Sequence, residues 1–195
     1  PYKSPTDMGV NMAGNCISDD EVVCRASKDE IIRRYFNTMC DSRRGRVTPS
    51  AVEKLELIMQ TAGVTVDERP VVGAALEKSK SVADANHPEA VAIELPDGRI
   101  VTGKTSALLG PAAAAVLNAI KAMCNIPKQV HLIAPSTIEP IQRLKVEMLG
   151  NRNPRLHTDE ALIALSISAA TSEDAANAFA KLKELRDCEA HSTII

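Results

Sequence analysis

Aromatic residues are scarce in this 195-residue chain, which has two Phe, two Tyr and no Trp. A core must therefore be built from aliphatic side chains, and these suffice because 45% of the residues are hydrophobic. Proteins that bind single-stranded nucleic acids stack bases on aromatic rings, and few rings are present here. A net charge of −2 gives no general attraction to DNA or to an anionic membrane. We expect neither nucleic acid nor membrane as a partner.

Closely spaced cysteines are also lacking. The five cysteines lie far apart and form no C-x-x-C pair, which argues against a zinc ribbon or a redox dithiol, and we expect no metal site. No apolar run is long enough to span a bilayer. Free thiols without such a run favour a cytoplasmic protein.

The two ends of the chain are unusual. Residue 1 is Pro, and residues 193–195 read as the opening of a strand that stops early. Residues 1–17 contain Pro and Gly without a hydrophobic period, which is typical of a connector. We expect a piece of a longer protein, with a missing domain upstream and a truncated carboxy-terminal end.

Helical signals dominate residues 18–86. Asp19 can cap a first helix, Pro49 and Gly63 delimit a second, and a third follows Pro70. These signals predict an all-helical subdomain.

From residue 87 to residue 195, short apolar runs alternate with helical patterns. The runs 90–95 and 99–102 flank an Asp-Gly turn, which predicts a β-hairpin. An Ala-rich helix opens at Pro111, and residues 129–134 are predicted to form a further strand, with His131 inside it. We expect an α/β fold here, a three-layer domain with a small mixed sheet.

Residues 98–105 match the G-x-x-x-x-G-K-[ST] pattern of a phosphate-binding loop. Such a loop follows a buried strand and opens a helix, but here the next helix begins only at Pro111. Ile100 and Val101 are β-branched and favour a strand over a phosphate cradle. We therefore interpret the match as a hairpin whose polar end remains a candidate ligand edge. The candidate anion-binding residues at this edge are Lys104, Thr105 and Ser106.

Three further places carry candidate residues. Ser136 and Thr137 begin a helix whose free N–H groups could hold an anion, and plain helix capping is the simpler alternative. His157 and Asp159 could transfer protons at another helix start, where capping is again the alternative. Lys3 lies in the polar opening segment, which is either a binding loop or a linker.

Several long strings resemble a bacterial family catalogued as domain of unknown function 1846. They are residues 1–11, residues 94–110 and the sequence Leu-His-Thr-Asp-Glu at 156–160. The resemblance covers essentially the whole chain and implies a longer parent protein, of which this chain would be the central and carboxy-terminal portion. It carries over no catalytic residues.

A second likeness is architectural. A hairpin, an Ala-rich helix and a strand in this order are similar to the core of cytidine-deaminase-like folds. Those enzymes need a P-C-x-x-C motif, which this chain lacks, so the likeness implies no zinc chemistry.

Two functions remain open from the sequence. One is the binding of a phosphorylated or nucleotide-like small molecule, with no reaction or cofactor indicated. The other is a non-catalytic scaffold or oligomerisation module, for which the Ala-rich helix and the apolar helix over 162–170 could supply subunit contacts. That second helix is apolar nearly all round, and we expect it to be buried.

Overall fold

The computed structural model describes residues 19–81 and 88–193 and divides into two compact units between Arg69 and Pro70. The expected connector over residues 1–17 and the chain's last two residues lie outside the described residues.

The first unit is helical. It contains α1 (Asp20–Arg43), α2 (Pro49–Ala62) and a short 3-10 turn, Val66–Glu68. The Asp19 carboxylate caps α1 by accepting hydrogen bonds from the N–H groups of Glu21 and Val22. Pro49 is the first residue of α2, and Gly63 ends it with a left-handed φ of 63°. The predicted starts of both helices and the end of the second are confirmed.

Aliphatic side chains form the core of this unit. Ile32 is fully buried, and Met59 and Val64 are nearly so. The Tyr35 hydroxyl donates to the Glu56 carboxylate at 3.3 Å and links α1 to α2.

The second unit contains five helices and three strands within the described residues. In chain order its elements are α3 (Pro70–Lys80), β1 (Ala90–Glu94), β2 (Ile100–Lys104), α4 (Pro111–Met123), α5 (Pro135–Arg143), a π-helical turn (Leu144–Met148), α6 (Thr158–Ser168), α7 (Glu173–Ala180), a 3-10 turn (Lys181–Leu185) and β3 (Ala190–Ser192).

The three strands form an antiparallel sheet in the order β2-β1-β3. On one face, Ala92 packs against Val71 and Ala75 of α3. On the other face, Val91 and Ile93 pack against α4. The α/β class and the three layers are confirmed, whereas the expected mixed sheet is wrong because both strand pairings are antiparallel. The structure also groups α3 with the sheet, although we expected it in a helical subdomain ending at residue 86.

The predicted strand over residues 129–134 is not formed. These residues make turns and bends, in which the Val130 N–H bonds to the Pro127 carbonyl at 3.1 Å. Leu132 and Ile133 are buried against α4 and α6, so their hydrophobicity serves a helical core. His131, expected inside the strand, is exposed. The cytidine-deaminase likeness therefore loses the strand on which it depended.

A tight turn joins β1 to β2. The Gly98 N–H bonds to the Leu95 carbonyl at 2.9 Å, and Gly98 adopts a φ of 81° that a residue with a Cβ rarely takes. The Asp97 carboxylate accepts from both the backbone and the guanidinium of Arg99. The hairpin interpretation of the phosphate-loop match is confirmed.

The second Gly of that match, Gly103, is required for a different structural reason. A Cβ on Gly103 would lie 2.1 Å from the Ala115 nitrogen and 2.6 Å from the Pro111 oxygen, both in the backbone of α4. Gly103 therefore lets the Ala-rich helix lie directly on β2.

The remaining helices cover a second part of the core. Leu156, Ala164 and Leu165 are fully buried there. Ile163 and Ile167 of α6 are 61% and 60% exposed, so the expectation that this helix is buried all round is wrong.

Candidate functional site

A pocket of about 460 Å³ lies beside β2 in the second unit. Four lysines from four different elements line it: Lys78 of α3, Lys104 of β2, Lys121 of α4 and Lys128 of the following loop. Among the described residues that line it, none is acidic. Positive charge is therefore concentrated in one concave site of a chain whose net charge is negative.

The position of β2 at the edge of the sheet explains how these lysines meet. Side chains of a strand alternate between its two faces. Gly103 faces α4, and Ile100 packs on the side of α3. Lys104 therefore points to the α3 side, where Lys78 lies, while Lys121 approaches from the helix on the opposite face. The pocket wraps around the edge of β2 that is open, meaning that no other strand of the described residues pairs with it.

The backbone of β2 adds hydrogen-bond donors to this edge. The ladder bonds run from the Leu95 N–H to the Arg99 carbonyl and from the Thr105 N–H to the Glu89 carbonyl. In an antiparallel pair, every second residue of a strand hydrogen-bonds to the partner strand, and the residues between direct their N–H and C=O groups away from it. Thr102 and Lys104 are two of these intervening residues, so their N–H and C=O groups point outward from β1. The Asn118 side-chain amide donates to the outward Thr102 carbonyl at 3.0 Å. The N–H groups of Thr102 and Lys104 remain directed towards the edge.

Lys121 shapes the wall of the pocket. Its ammonium group donates to the carbonyls of Lys128 and Val130, at 2.7 and 2.5 Å. Burial lowers the pKa of the Lys121 amine. These two bonds hold the loop that carries Lys128, and the second of them falls within residues 129–134, where the sequence predicted a strand.

A second, smaller cavity of about 180 Å³ adjoins the first. The two share Asn118, Lys121 and Lys128 as lining residues. Most of the remaining lining is aliphatic, namely Leu108, Leu109, Ala114, Leu117, Val130, Leu132, Ile133, Pro135 and Ile138, with His131 as the polar exception. A basic compartment therefore lies beside an apolar one.

Of the three anion-binding candidates at the strand end, Lys104, Thr105 and Ser106, the pocket is lined by Lys104 alone. The Thr105 hydroxyl donates to the Glu89 carboxylate at 3.0 Å. The Ser106 hydroxyl accepts from the N–H groups of Leu108 and Leu109. Thr105 and Ser106 are thus engaged in local structure.

Ser136 and Thr137 lie in the first turn of α5, beside two residues of the apolar cavity but not among its lining. Ala134 is the N-cap of α5 and supplies no side-chain hydrogen bond, so the predicted cap at Ser136 is not formed. Whether these two residues contact a ligand stays a prediction. Lys3 lies outside the described residues.

His157 and Asp159 begin α6, and neither lines the two cavities. The His157 backbone N–H donates to the Glu160 carboxylate at 2.8 Å, and the imidazole is exposed. This is capping geometry, the alternative that the sequence left open. Proton transfer by His157 and Asp159 stays a prediction.

An ion pair with a buried lysine, which the sequence did not indicate, lies next to this helix start. The Lys145 ammonium, 3% exposed, donates to the Glu160 carboxylate at 2.7 Å and to the Arg155 carbonyl at 2.6 Å. Burial alone would raise the pKa of Glu160, but its hydrogen bonds from Lys145 and His157 hold that pKa below the usual value. The pair joins the π-helical turn, the loop after it and α6.

Sequence reasoning missed three of the four pocket lysines. The three are Lys78, Lys121 and Lys128, and only the fold brings Lys78 and Lys121 to the strand that carries Lys104. One signal in the sequence could have indicated that Lys121 and Lys128 lie close together. Only a short segment containing Pro127 separates them, and such a segment favours a turn that brings the chain back to the helix.

The described residues contain no group of three or more His, Cys, Asp or Glu side chains that could hold a metal ion. Within those same ranges, no helix is both long and apolar enough to cross a membrane.

Fold and site together define an α/β protein with a basic pocket at an open sheet edge. The chain belongs to the family described as domain of unknown function DUF1846: its residues 1–63 match the N-terminal model and its residues 67–195 match the C-terminal model. The resemblance seen in the sequence is confirmed. One detail is corrected, because the match to the N-terminal model means that the chain is more than a central and carboxy-terminal portion.

Curated relatives are bacterial. The chain is 53% identical over 195 residues to a UPF0371 protein of Streptococcus thermophilus, and over 196 residues to one of Corynebacterium efficiens. A UPF0371 protein of Streptococcus pyogenes serotype M3 is also 53% identical over 195 residues. Each alignment covers 100% of this chain but 39% of the relative, so the chain spans about two fifths of their length.

Proposed function

We propose that the second unit binds a phosphorylated small molecule in the lysine-lined pocket. The observation that carries the proposal is that four lysines from four elements line one concavity whose described lining has no acidic residue. Each ammonium group has three N–H donors, and lysine is a common point-charge partner of phosphate. The outward N–H groups of Thr102 and Lys104 supply further donors at the same edge.

The size of the pocket fits a small molecule. About 460 Å³ lies within the range of roughly 300 to 1,000 Å³ typical of ligand sites. The proposal is one of binding without an assigned reaction, because His157 and Asp159 do not line the pocket. We place this function in the cytoplasm, which the free thiols among the described cysteines support.

Titration with inorganic pyrophosphate tests the proposal. Saturable binding should weaken about fivefold to tenfold in Lys104→Ala, because one ammonium–phosphate contact in a partly exposed site contributes about 1 kcal/mol. Lys128→Ala should have a similar effect, and added salt should weaken binding in the unaltered chain.

Lys183→Ala is the matched control, since Lys183 is an exposed lysine of the same unit outside both cavities. Its affinity should equal that of the unaltered chain. Absence of binding at about 1 mM pyrophosphate, or equal losses in Lys104→Ala and Lys183→Ala, would refute the proposal. The lysines would then have the simpler role of discouraging strand pairing at the open edge of β2.

A second candidate function is self-association. Ile163 and Ile167 lie one turn apart on α6 and are both more than half exposed, as are Met148 and Leu149. Such apolar side chains could contact a second copy of the chain. Light scattering over a range of concentrations tests this, and a monomer at every concentration would count against it. If a dimer forms, Ile163→Lys should dissociate it, whereas Ser166→Lys, an exposed position on the same helix, should have a smaller effect.

A further inference from the structure

The two adjoining cavities differ in chemistry but share one wall. Four lysines and four aliphatic side chains line the larger cavity, whereas the lining of the smaller one is mostly aliphatic. A molecule that fills both must pass over the shared residues, Asn118, Lys121 and Lys128. Two of these are held in place, because Asn118 bonds to the Thr102 carbonyl and Lys121 bonds to two loop carbonyls. The wall is therefore a fixed feature of the site.

We infer that the ligand of the lysine-lined pocket is a phosphate monoester whose organic group is a small ring held in the apolar cavity. This inference rests on the proposed function and narrows it from phosphorylated compounds in general to one chemical class. The basic compartment takes the phosphate, and the aliphatic lining takes the ring.

The volume of the apolar cavity is sufficient for such a ring. An apolar cavity of about 150 Å³ in another protein accepts a benzene molecule, so about 180 Å³ accommodates a single six-membered ring.

Polar groups at the boundary suit a ring that carries heteroatoms. The Asn118 amide uses its N–H donor on Thr102, which leaves its side-chain carbonyl oxygen as an acceptor. The imidazole of His131 is exposed and lines the apolar cavity. It can contact the edge or the face of a ring.

Two phosphate esters separate the contribution of the ring from that of the charge. Methyl phosphate and phenyl phosphate carry the same ionic group and differ in the organic substituent. Binding of each to the full chain is measured by competition with pyrophosphate. Phenyl phosphate should bind about tenfold more tightly, because the ring removes apolar surface from water. This comparison uses the unaltered chain and does not depend on the folding of any variant.

A cavity-filling variant locates the ring. Ala114 is a partly exposed residue of α4 that lines the apolar cavity. Ala114→Leu should abolish the advantage of phenyl phosphate and leave methyl phosphate unchanged, whereas the volume-conserving control Ala114→Ser should keep the advantage. Lys104→Ala should weaken both esters equally.

The possible failures are distinct. Equal affinity for the two esters in the unaltered chain would overturn the inference and leave the proposed function standing. An advantage for phenyl phosphate that persists in a folded Ala114→Leu variant would also overturn it, by placing the ring elsewhere. Failure of pyrophosphate to bind would refute the inference and the proposed function together.

Discussion

Replacing Gly103 by Ala tests the closest contact between β2 and α4. The added Cβ would lie 2.1 Å from the nitrogen of Ala115, 2.6 Å from its Cα and 2.6 Å from the Pro111 oxygen. All three atoms belong to helix backbone, so no side-chain rotation can relieve the clash. The helix must move away from the strand, or the strand must bend.

The free-energy cost follows from what α4 covers. Ala115 and Ala119 are fully buried against Val91 and Ile93, and a shift of the helix would loosen that whole layer. Overpacking of a core costs about 1 to 3 kcal/mol, and a backbone clash belongs at the upper end. We expect Gly103→Ala to lower the free energy of unfolding by about 3 kcal/mol. The melting temperature should fall by about 10 °C in a unit of this size.

Gly73→Ala is the matched control for urea and thermal unfolding. Gly73 lies within α3, and a Cβ there would meet no atom within 4 Å. Because Ala favours a helix over Gly by about 1 kcal/mol, this variant should be as stable as the unaltered chain or more so. A loss below about 1 kcal/mol in Gly103→Ala would refute the close packing that we describe. Weaker pyrophosphate binding at unchanged stability would instead favour a ligand role for Gly103.

Three further predictions concern other contacts. Lys145→Ala leaves the partly buried Glu160 carboxylate without its ammonium partner and should cost about 2 kcal/mol in urea denaturation, whereas Lys145→Met should cost less; equal costs would argue against the ion pair. Because hydrogen bonds hold the pKa of Glu160 below 4.5 despite its burial, its contribution to stability is present above about pH 4.5 and is lost as the pH falls through the lower folded-state value. Glu160→Gln should therefore flatten the acid side of the stability curve, and an unchanged slope would contradict this assignment. Gly98→Ala should cost about 1 kcal/mol in thermal unfolding because φ is 81°, and Gly98→Asn should cost less; equal costs would mean that the left-handed φ does not determine which residue is preferred here.

Local signals predicted much of the secondary structure. Asp19, Pro49, Gly63 and Pro111 mark helix ends in the structure as they did in the sequence, because each acts through its own side chain or backbone geometry. The hairpin followed from Asp97-Gly98 for the same reason. Such signals depend on a few neighbouring residues and need no knowledge of the rest of the fold.

Predictions failed where distant residues decide the outcome. The apolar run 129–134 suits a strand or a buried loop equally, and periodicity cannot separate the two over so short a length. The Lys121 ammonium donates to the Val130 carbonyl of this segment and to the Lys128 carbonyl just before it, and Leu132 and Ile133 pack against helices instead of joining the sheet. The sequence did not reveal the pocket for the same reason, because its lysines are brought together only by the order of the strands and the positions of α3 and α4.

The phosphate-loop match shows how a pattern can be met letter by letter for unrelated reasons. Gly98 supplies a left-handed turn residue, and Gly103 allows close approach of a helix. Lys104 lies on an open sheet edge, and Thr105 bonds to Glu89. In a true loop, one requirement, the convergence of backbone N–H groups on a phosphate, would explain all the glycines together. Here that requirement is absent from the hairpin, so the case for anion binding depends on Lys104 and its three neighbouring lysines and not on the motif.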